Sequence, residues 1–317
     1  MSSYSTSVQH NCRLLSTNSY GFFGNNIADQ LMRKECADAK SWFHFTSLED
    51  LADLIARTPL LFQPGSHFHY GLSTDVLGRV IEIVSHQRLD EFFHKEIFLP
   101  LQMKDTSFQV SANNRDRLAE VFEVSPGHAI TKSTNDERDR FAEPVLLSGG
   151  GGLVSSIDDY VKFMLMLSNR GRILHNHNNH NNNINEDDNK GLQGIDWLIS
   201  ERCFHAMTCN QLPNNGDLSH YSFESSFSEV IGAGFGFGFA VSVLRDPSIA
   251  RGAAHSHSGE FGWGGVAATN FHIDVNKGVS MIFLTSLVGG ASVYPIRAQF
   301  KLLGHRFVDA KLQQVKV

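Results

Sequence analysis

Apolar residues recur at helical spacing in four stretches of the chain, and each stretch predicts a helix. Val76, Leu77, Val80, Ile81 and Val84 follow Ser73 and Asp75, a capping hydroxyl and a first-turn acid, which predicts an amphipathic helix of about 14 residues. Leu89, Phe92, Phe93 and Ile97 share the next helical face, and Pro100 closes it because proline cannot continue the hydrogen-bond ladder. Ser155, Asp158 and Asp159 open a third helix that reaches Leu167; the acids suit the positive end of the helix dipole. Ile296, Phe300, Leu303 and Phe307 mark a last helix between Tyr294 and Leu312.

The period falls to two in the C-terminal part. Gly232, Gly234, Gly236 and Gly238 alternate with Ala233, Phe235, Phe237 and Phe239, which predicts a strand with a bare face that another segment packs against. Strands are also expected over 266–273 and 279–286, joined by Asp274-Val-Asn-Lys-Gly278, a hairpin loop with glycine where a positive φ is needed. Successive strands followed by a helix imply an α+β fold, a mainly antiparallel sheet flanked by helices. Residues 173–190 form an asparagine tract with almost nothing to bury, expected to be a disordered surface loop. Its His175, His177 and His180 read as low-complexity drift. A second polar stretch, 214–228, reads as a loop whose Tyr221, Phe223 and Phe227 pack on something.

Composition narrows the class. Of 317 residues, 41% are hydrophobic and 19% charged, as in ordinary globular proteins, and a net charge of -6 argues against nucleic acid as a partner. Apolar runs such as 279–284 stop well short of the roughly 20 residues that span a bilayer, so no membrane span is expected. Cys12, Cys36, Cys203 and Cys209 are widely spaced and read as reduced thiols. The hydroxyl-rich start, with one early arginine, Arg13, and no apolar leader, favours a cytoplasmic location over export, with organellar import left open.

Four motifs then carry a resemblance. They are Phe62-Gln-Pro-Gly-Ser-His-Phe-His-Tyr70-Gly-Leu-Ser-Thr-Asp-Val-Leu-Gly78, the continuation from Phe98 to Thr106, Ser148-Gly-Gly-Gly-Gly-Leu-Val-Ser-Ser156, and Phe261-Gly-Trp-Gly-Gly265. In this order and spacing they resemble the β-lactamase-related, penicillin-binding-protein-like serine hydrolases, above all the esterase-like branch. The resemblance covers residues 12–312 as one domain, with 173–190 an insertion and 1–11 and 313–317 as tails. It implies a β-lactamase/transpeptidase-like α+β fold with an all-helical region, and hydrolysis of esters or amides through an acyl-serine. It implies no metal and no organic cofactor.

By resemblance, Tyr70 is the proton carrier, Leu72 stands where many relatives have asparagine, and Trp263, Gly264 and Gly265 form the strand motif that binds the acyl group and holds the oxyanion. His257-Ser258-Gly259 is a competing strand motif. The family's nucleophile is a serine with a lysine one helical turn on, spaced so that the amine can take the hydroxyl proton. No lysine of this chain, from Lys34 to Lys316, has serine three positions before it. The expectation is therefore a form lacking the nucleophile helix and the first strands of the sheet, N-terminally truncated and inactive as it stands. The alternative is a pseudoenzyme that binds an acyl compound or a protein partner. An uncovered sheet edge would favour self- or partner association. Ser66 and Ser73 are the candidate replacement nucleophiles, and neither has an amine at fixed spacing. His67 and His69 read as ordinary surface or satisfied histidines, and the glycine run 149–152 as the entry to a helix.

Overall fold

A computed structural model describes residues 26–37, 45–125, 127–133, 141–173, 197–222 and 232–315. The hydroxyl-rich N-terminal tail, nearly all of the asparagine tract, Phe223, Phe227, Cys12 and the side chain of Cys36 lie outside these residues.

The N-terminal part is helical. α1 (Ile27–Ala37), α2 (Leu48–Arg57), α3 (Ser73–Ser85) and α4 (Leu89–Phe93), which runs on into a π-turn at His94–Phe98, enclose one core. Met32, Leu48, Leu51, Leu54, Leu72, Leu89 and Phe108 are buried there. α2 starts as its sequence dictates, with the Ser47 hydroxyl accepting from the Asp50 N–H. α3 departs from expectation. Its N-cap is Leu72, with no side-chain cap bond, and Ser73 is its first residue. Its buried positions include Asp75 and Gly78, whereas Leu77, Val80 and Val84 are exposed. The reason lies in close packing at Gly78: a Cβ there would press on Leu48 and Leu89, so the helix seats its small residue against its neighbours.

β1 (Phe122–Val124) and β2 (Ile130–Lys132) form a hairpin. α5 (Ile157–Ser168) begins at Ser156, whose hydroxyl accepts from the Asp159 N–H. α6 (Glu201–Thr208) and the short α7 (Leu218–Tyr221) precede the main sheet.

That sheet is antiparallel throughout, in the order of the chain: β3 (Phe235–Phe237), β4 (Ser242–Leu244), β5 (Phe261–Gly264), β6 (Asn270–Asp274) and β7 (Val279–Phe283). The expected glycine face of β3 is covered, Gly236 by the Asn210 side chain and Gly238 by the Met207 carbonyl. The expected strand over 266–273 is shorter, because residues 265–269 turn the chain from β5 into β6; the Ala268 N–H donates to the Gly265 carbonyl and Ala268 takes φ 64°. The β6–β7 hairpin is as read, with Gly278 at φ 67°. β8 (Leu287–Val288) leaves to pair in parallel with β1, and α8 (Gly290–Val293) leads to α9 (Ile296–Val315).

Helices cover both faces of the sheet. On one, Met164, Met166, Phe204, Phe261 and Ile273 form a second core under α5 and α6. On the other lies α9, where Phe300 meets Phe283 with ring centroids 5.4 Å apart. The middle of α9 is inverted relative to its pattern: Leu303 and Phe307 are 63% and 64% exposed, while Lys301 and His305 are buried. Arg297, Lys301, His305 and Asp309 stand four apart, so they share one stripe of the helix. Glu260, directly before β5, receives two of them, Lys301 Nζ at 2.5 Å and His305 Nε2 at 2.7 Å. Lys277 links His305 to Asp309, whose other oxygen takes His255.

Candidate active site

Tyr70 sits at the end of the segment that leads into α3, and Trp263 on β5. The fold brings them together where the helical layer meets the sheet, with ring centroids 5.6 Å apart and planes at 39°. Two further aromatic rings extend this contact. Phe237 of β3 meets Trp263 edge-on at 5.0 Å, and Phe68 meets Phe237 at 4.7 Å. Phe68 is held there by its N–H, which donates to the Tyr221 carbonyl at the end of α7. The result is an apolar wall of aromatic rings with one phenol on it. Phe237 was legible as a strand aromatic and Phe68 lay inside the Tyr70 motif, but nothing in the spacing tied either to Trp263.

The predicted site residues separate. Leu72 is buried in the helical core with Leu48 and Leu89 and does not line the aromatic wall. The Gly265 N–H is committed to the turn, donating to the Thr269 carbonyl at 3.1 Å and to Thr269 Oγ1 at 3.0 Å. Pairing along β5 alternates, so Gly262 and Gly264 present their amides to the opposite edge. Gly262 pairs there with Ser242, the first residue of β4, and Gly264 lies past that pairing. The space of a Gly264 side chain is filled from behind by the Arg297 guanidinium, which also donates to the Gly265 carbonyl at 2.5 Å. The glycine in the expected strand motif thus makes room for an arginine.

His257-Ser258-Gly259 lies at the other end of β5. His257 Nδ1 is 2.8 Å from Asp274 Oδ2, and the Ser258 hydroxyl donates to the Arg245 carbonyl. A cleft of about 850 Å³ opens at that end, lined by Phe204, Arg245, Ser258 and Phe261 among others, and it includes neither Tyr70 nor Trp263. Ser66 donates to the Gln63 carbonyl and Ser73 starts α3, so the candidate replacement nucleophiles lie in local turn and helix structure. His69 is buried and His67 is exposed beside Ser66. In the glycine run, Gly149 packs on the Thr74 carbonyl, and Asp75 accepts from the Ser148 hydroxyl at 2.5 Å, which ties the run to the start of α3. Burial raises the Asp75 carboxyl above the usual range against the pull of Ser148.

Elsewhere among the described residues, Glu260, Asp274 and His305 approach one another as a metal triad would. The donor set does not fit one. Lys301 and His305 occupy the Glu260 oxygens, and His257 and the Lys277 N–H occupy Asp274. Tyr160, which meets Phe163 edge-on and Phe271 at a tilt, is pushed up to about 12 by burial and stays protonated. Cys203 and Cys209 are free thiols. No described helix is long and apolar enough to cross a membrane.

Residues 13–200 match the family described as Beta-lactamase. Esterase EstB of Burkholderia gladioli is 26% identical over 248 residues, 73% of this chain and 53% of that protein. Protein Rv1367c of Mycobacterium tuberculosis is 25% identical over 241 residues, 73% of this chain and 51% of that one. The chain therefore spans about half the length of these curated relatives. Among solved structures, EstCE1, a hydrolase with promiscuous acyltransferase activity, shares the fold at a TM-score of 0.65 and 24% identity, covering 92% of this chain and 71% of that one.

Proposed function

The chain belongs to the beta-lactamase family of serine hydrolases, and on that premise we propose that Tyr70, Trp263 and the Gly264 edge of β5 are the acyl-handling part of an esterase-like site that these 317 residues do not turn over alone. The observation that carries this reading is the contact of Tyr70 with Trp263, made between a helix entry and a central strand. In an acyl transfer at such a site a serine hydroxyl attacks the ester carbonyl, Tyr70 takes its proton and passes it to the leaving alkoxide, and the Gly264 N–H, past the pairing of β5 with β4, stabilises the oxyanion. The aromatic wall of Phe68, Phe237 and Trp263 favours an apolar acyl group on a small ester. The attacking serine needs an amine one turn along its helix, and no lysine here has a serine in that relation. The chain as it stands accordingly binds such an ester without cleaving it.

The test is intact mass of the folded chain before and after a serine-reactive fluorophosphonate, together with Tyr70→Phe and a titration of the Trp263 indole N–H resonance with p-nitrophenyl butyrate. No adduct and a saturable shift are expected. A single adduct that Tyr70→Phe abolishes would mean that a serine such as Ser66 or Ser73 performs the chemistry, and no shift would remove the ester-binding reading.

A further inference from the structure

We infer that Arg297 is a positioning residue of the Trp263-Gly264-Gly265 segment: from behind the sheet it holds the Gly265–Val266 peptide and so sets the strand edge that faces Tyr70. The inference rests on the reading of that segment as the acyl-handling edge and adds a residue to it.

Arg297 lies in the first turn of α9, on the face of the sheet opposite the aromatic wall. Its guanidinium fills the space a side chain at Gly264 would need; a Cβ there would lie 2.5 Å from Arg297 Cζ and 2.7 Å from Nε. Its terminal nitrogen donates to the Gly265 carbonyl. That carbonyl also accepts from the Ala268 N–H, and the Gly265 amide is taken by Thr269, so this stretch of main chain is fixed on several sides. A charged donor on a carbonyl also polarises the rest of the peptide, and the N–H of this one belongs to Val266, an exposed residue beside the site. One helical turn further, Lys301 holds Glu260 at the other end of β5. One helix therefore holds the strand at both ends, Lys301 at its entry and Arg297 where Trp263 meets Tyr70.

The experiment uses the whole chain labelled with ¹³C-carbonyl glycine and ¹⁵N-valine. Only Gly265–Val266 and Gly278–Val279 are Gly-Val pairs in the sequence, so two carbonyl-nitrogen correlations are seen and the second is an internal control. Arg297→Met is expected to move the Gly265–Val266 peak and leave Gly278–Val279 in place, with Arg297→Lys moving it less. Affinity for p-nitrophenyl butyrate, read at the Trp263 indole, should fall about tenfold in Arg297→Met and partly recover in Arg297→Lys. Lys301→Met should lower the melting temperature without moving the Gly265–Val266 peak. A stationary peak in folded Arg297→Met overturns the inference, as does a moved peak with unchanged affinity. Absence of ester binding by the wild-type chain defeats the proposed function instead, and the peak positions still decide whether Arg297 sets this peptide.

Discussion

The ammonium of Lys301 and the carboxylate of Glu260 meet at 2.5 Å with their side chains only 4% and 1% exposed, so α9 is tied to β5 by a charge pair almost entirely out of water. Removing one partner of such a pair leaves the other charge buried and uncompensated. Lys301→Met is expected to cost about 3–5 kcal/mol in urea unfolding. The double variant Glu260→Leu with Lys301→Met should be markedly more stable than the sum of the two single losses, which a double-mutant cycle measures. Additive losses would mean that the two charges are not coupled.

The same cluster predicts loss of stability in acid. Burial, with Lys301 nearby, pushes the His272 imidazole from 6.5 down to about 3. The unfolded chain takes that proton near the ordinary histidine range and the folded chain refuses it, so acidification across this window favours unfolding by up to about 1.4 kcal/mol per pH unit. Burial alone would raise the Glu260 carboxyl, but His305 and Lys301, with His272, outweigh it and hold it at about 2. Its contribution is present above the ordinary value of 4.5 and is lost as pH falls toward about 2. Urea unfolding between about pH 7 and pH 5 should show a decline that is shallower in His272→Gln; an unchanged slope would place the acid sensitivity at another group.

Two glycines of one run should behave differently. A side chain at Gly149 would run into the Thr74 carbonyl and Asp75, whereas one at Gly151 meets nothing. Gly149→Ala is expected to cost about 1–3 kcal/mol and to shift the Trp263 resonance by displacing the start of α3 beside Tyr70. Gly151→Ala should stay within about 0.5 kcal/mol of wild type. Equal effects would show that the run is not seated on α3.

Asp159 accepts from the Asp105 N–H at 2.6 Å, from Thr106 Oγ1 at 3.0 Å and from Lys162 at 2.9 Å, and it is buried. Asp159→Ala strands these donors and should cost about 2–3 kcal/mol, with Asp159→Asn retaining part of the loss because its oxygen still accepts. Thermal unfolding checks the order. The Trp263 resonance should not move in either variant, since this joint lies between α5 and the turn after α4.

Much of the frame was readable from residues alone. Ser156 and Asp159 start α5 one or two residues from the expected place, Pro100 lies just past the α4 turn, and Gly278 closes the β6–β7 hairpin. The meeting of Tyr70 with Trp263 followed from the family resemblance, since no local pattern links positions so far apart in the chain. What periodicity could not reveal was which side of a helix the fold would bury. α3 and α9 carry apolar residues around much of their circumference, and neighbours chose Gly78 and Asp75 in one, and Lys301 and His305 in the other. The motif position of Leu72 points to the site, but at the N-cap of α3 its side chain packs into the helical core with Leu48 and Leu89. Arg297 was invisible in sequence because its role depends on the missing side chain of Gly264.

A helix that turns its charges inward responds to heat unlike one seated on leucines. The cost of dehydrating ions falls as water warms, whereas the gain from burying hydrocarbon levels off. Burying polar surface also contributes with opposite sign to the heat capacity of unfolding. The attachment of α9 should therefore be relatively firmer at the warm end of the protein's range than the helical core around Leu89, and melting is expected to begin among α1 to α4 before α9 leaves the sheet.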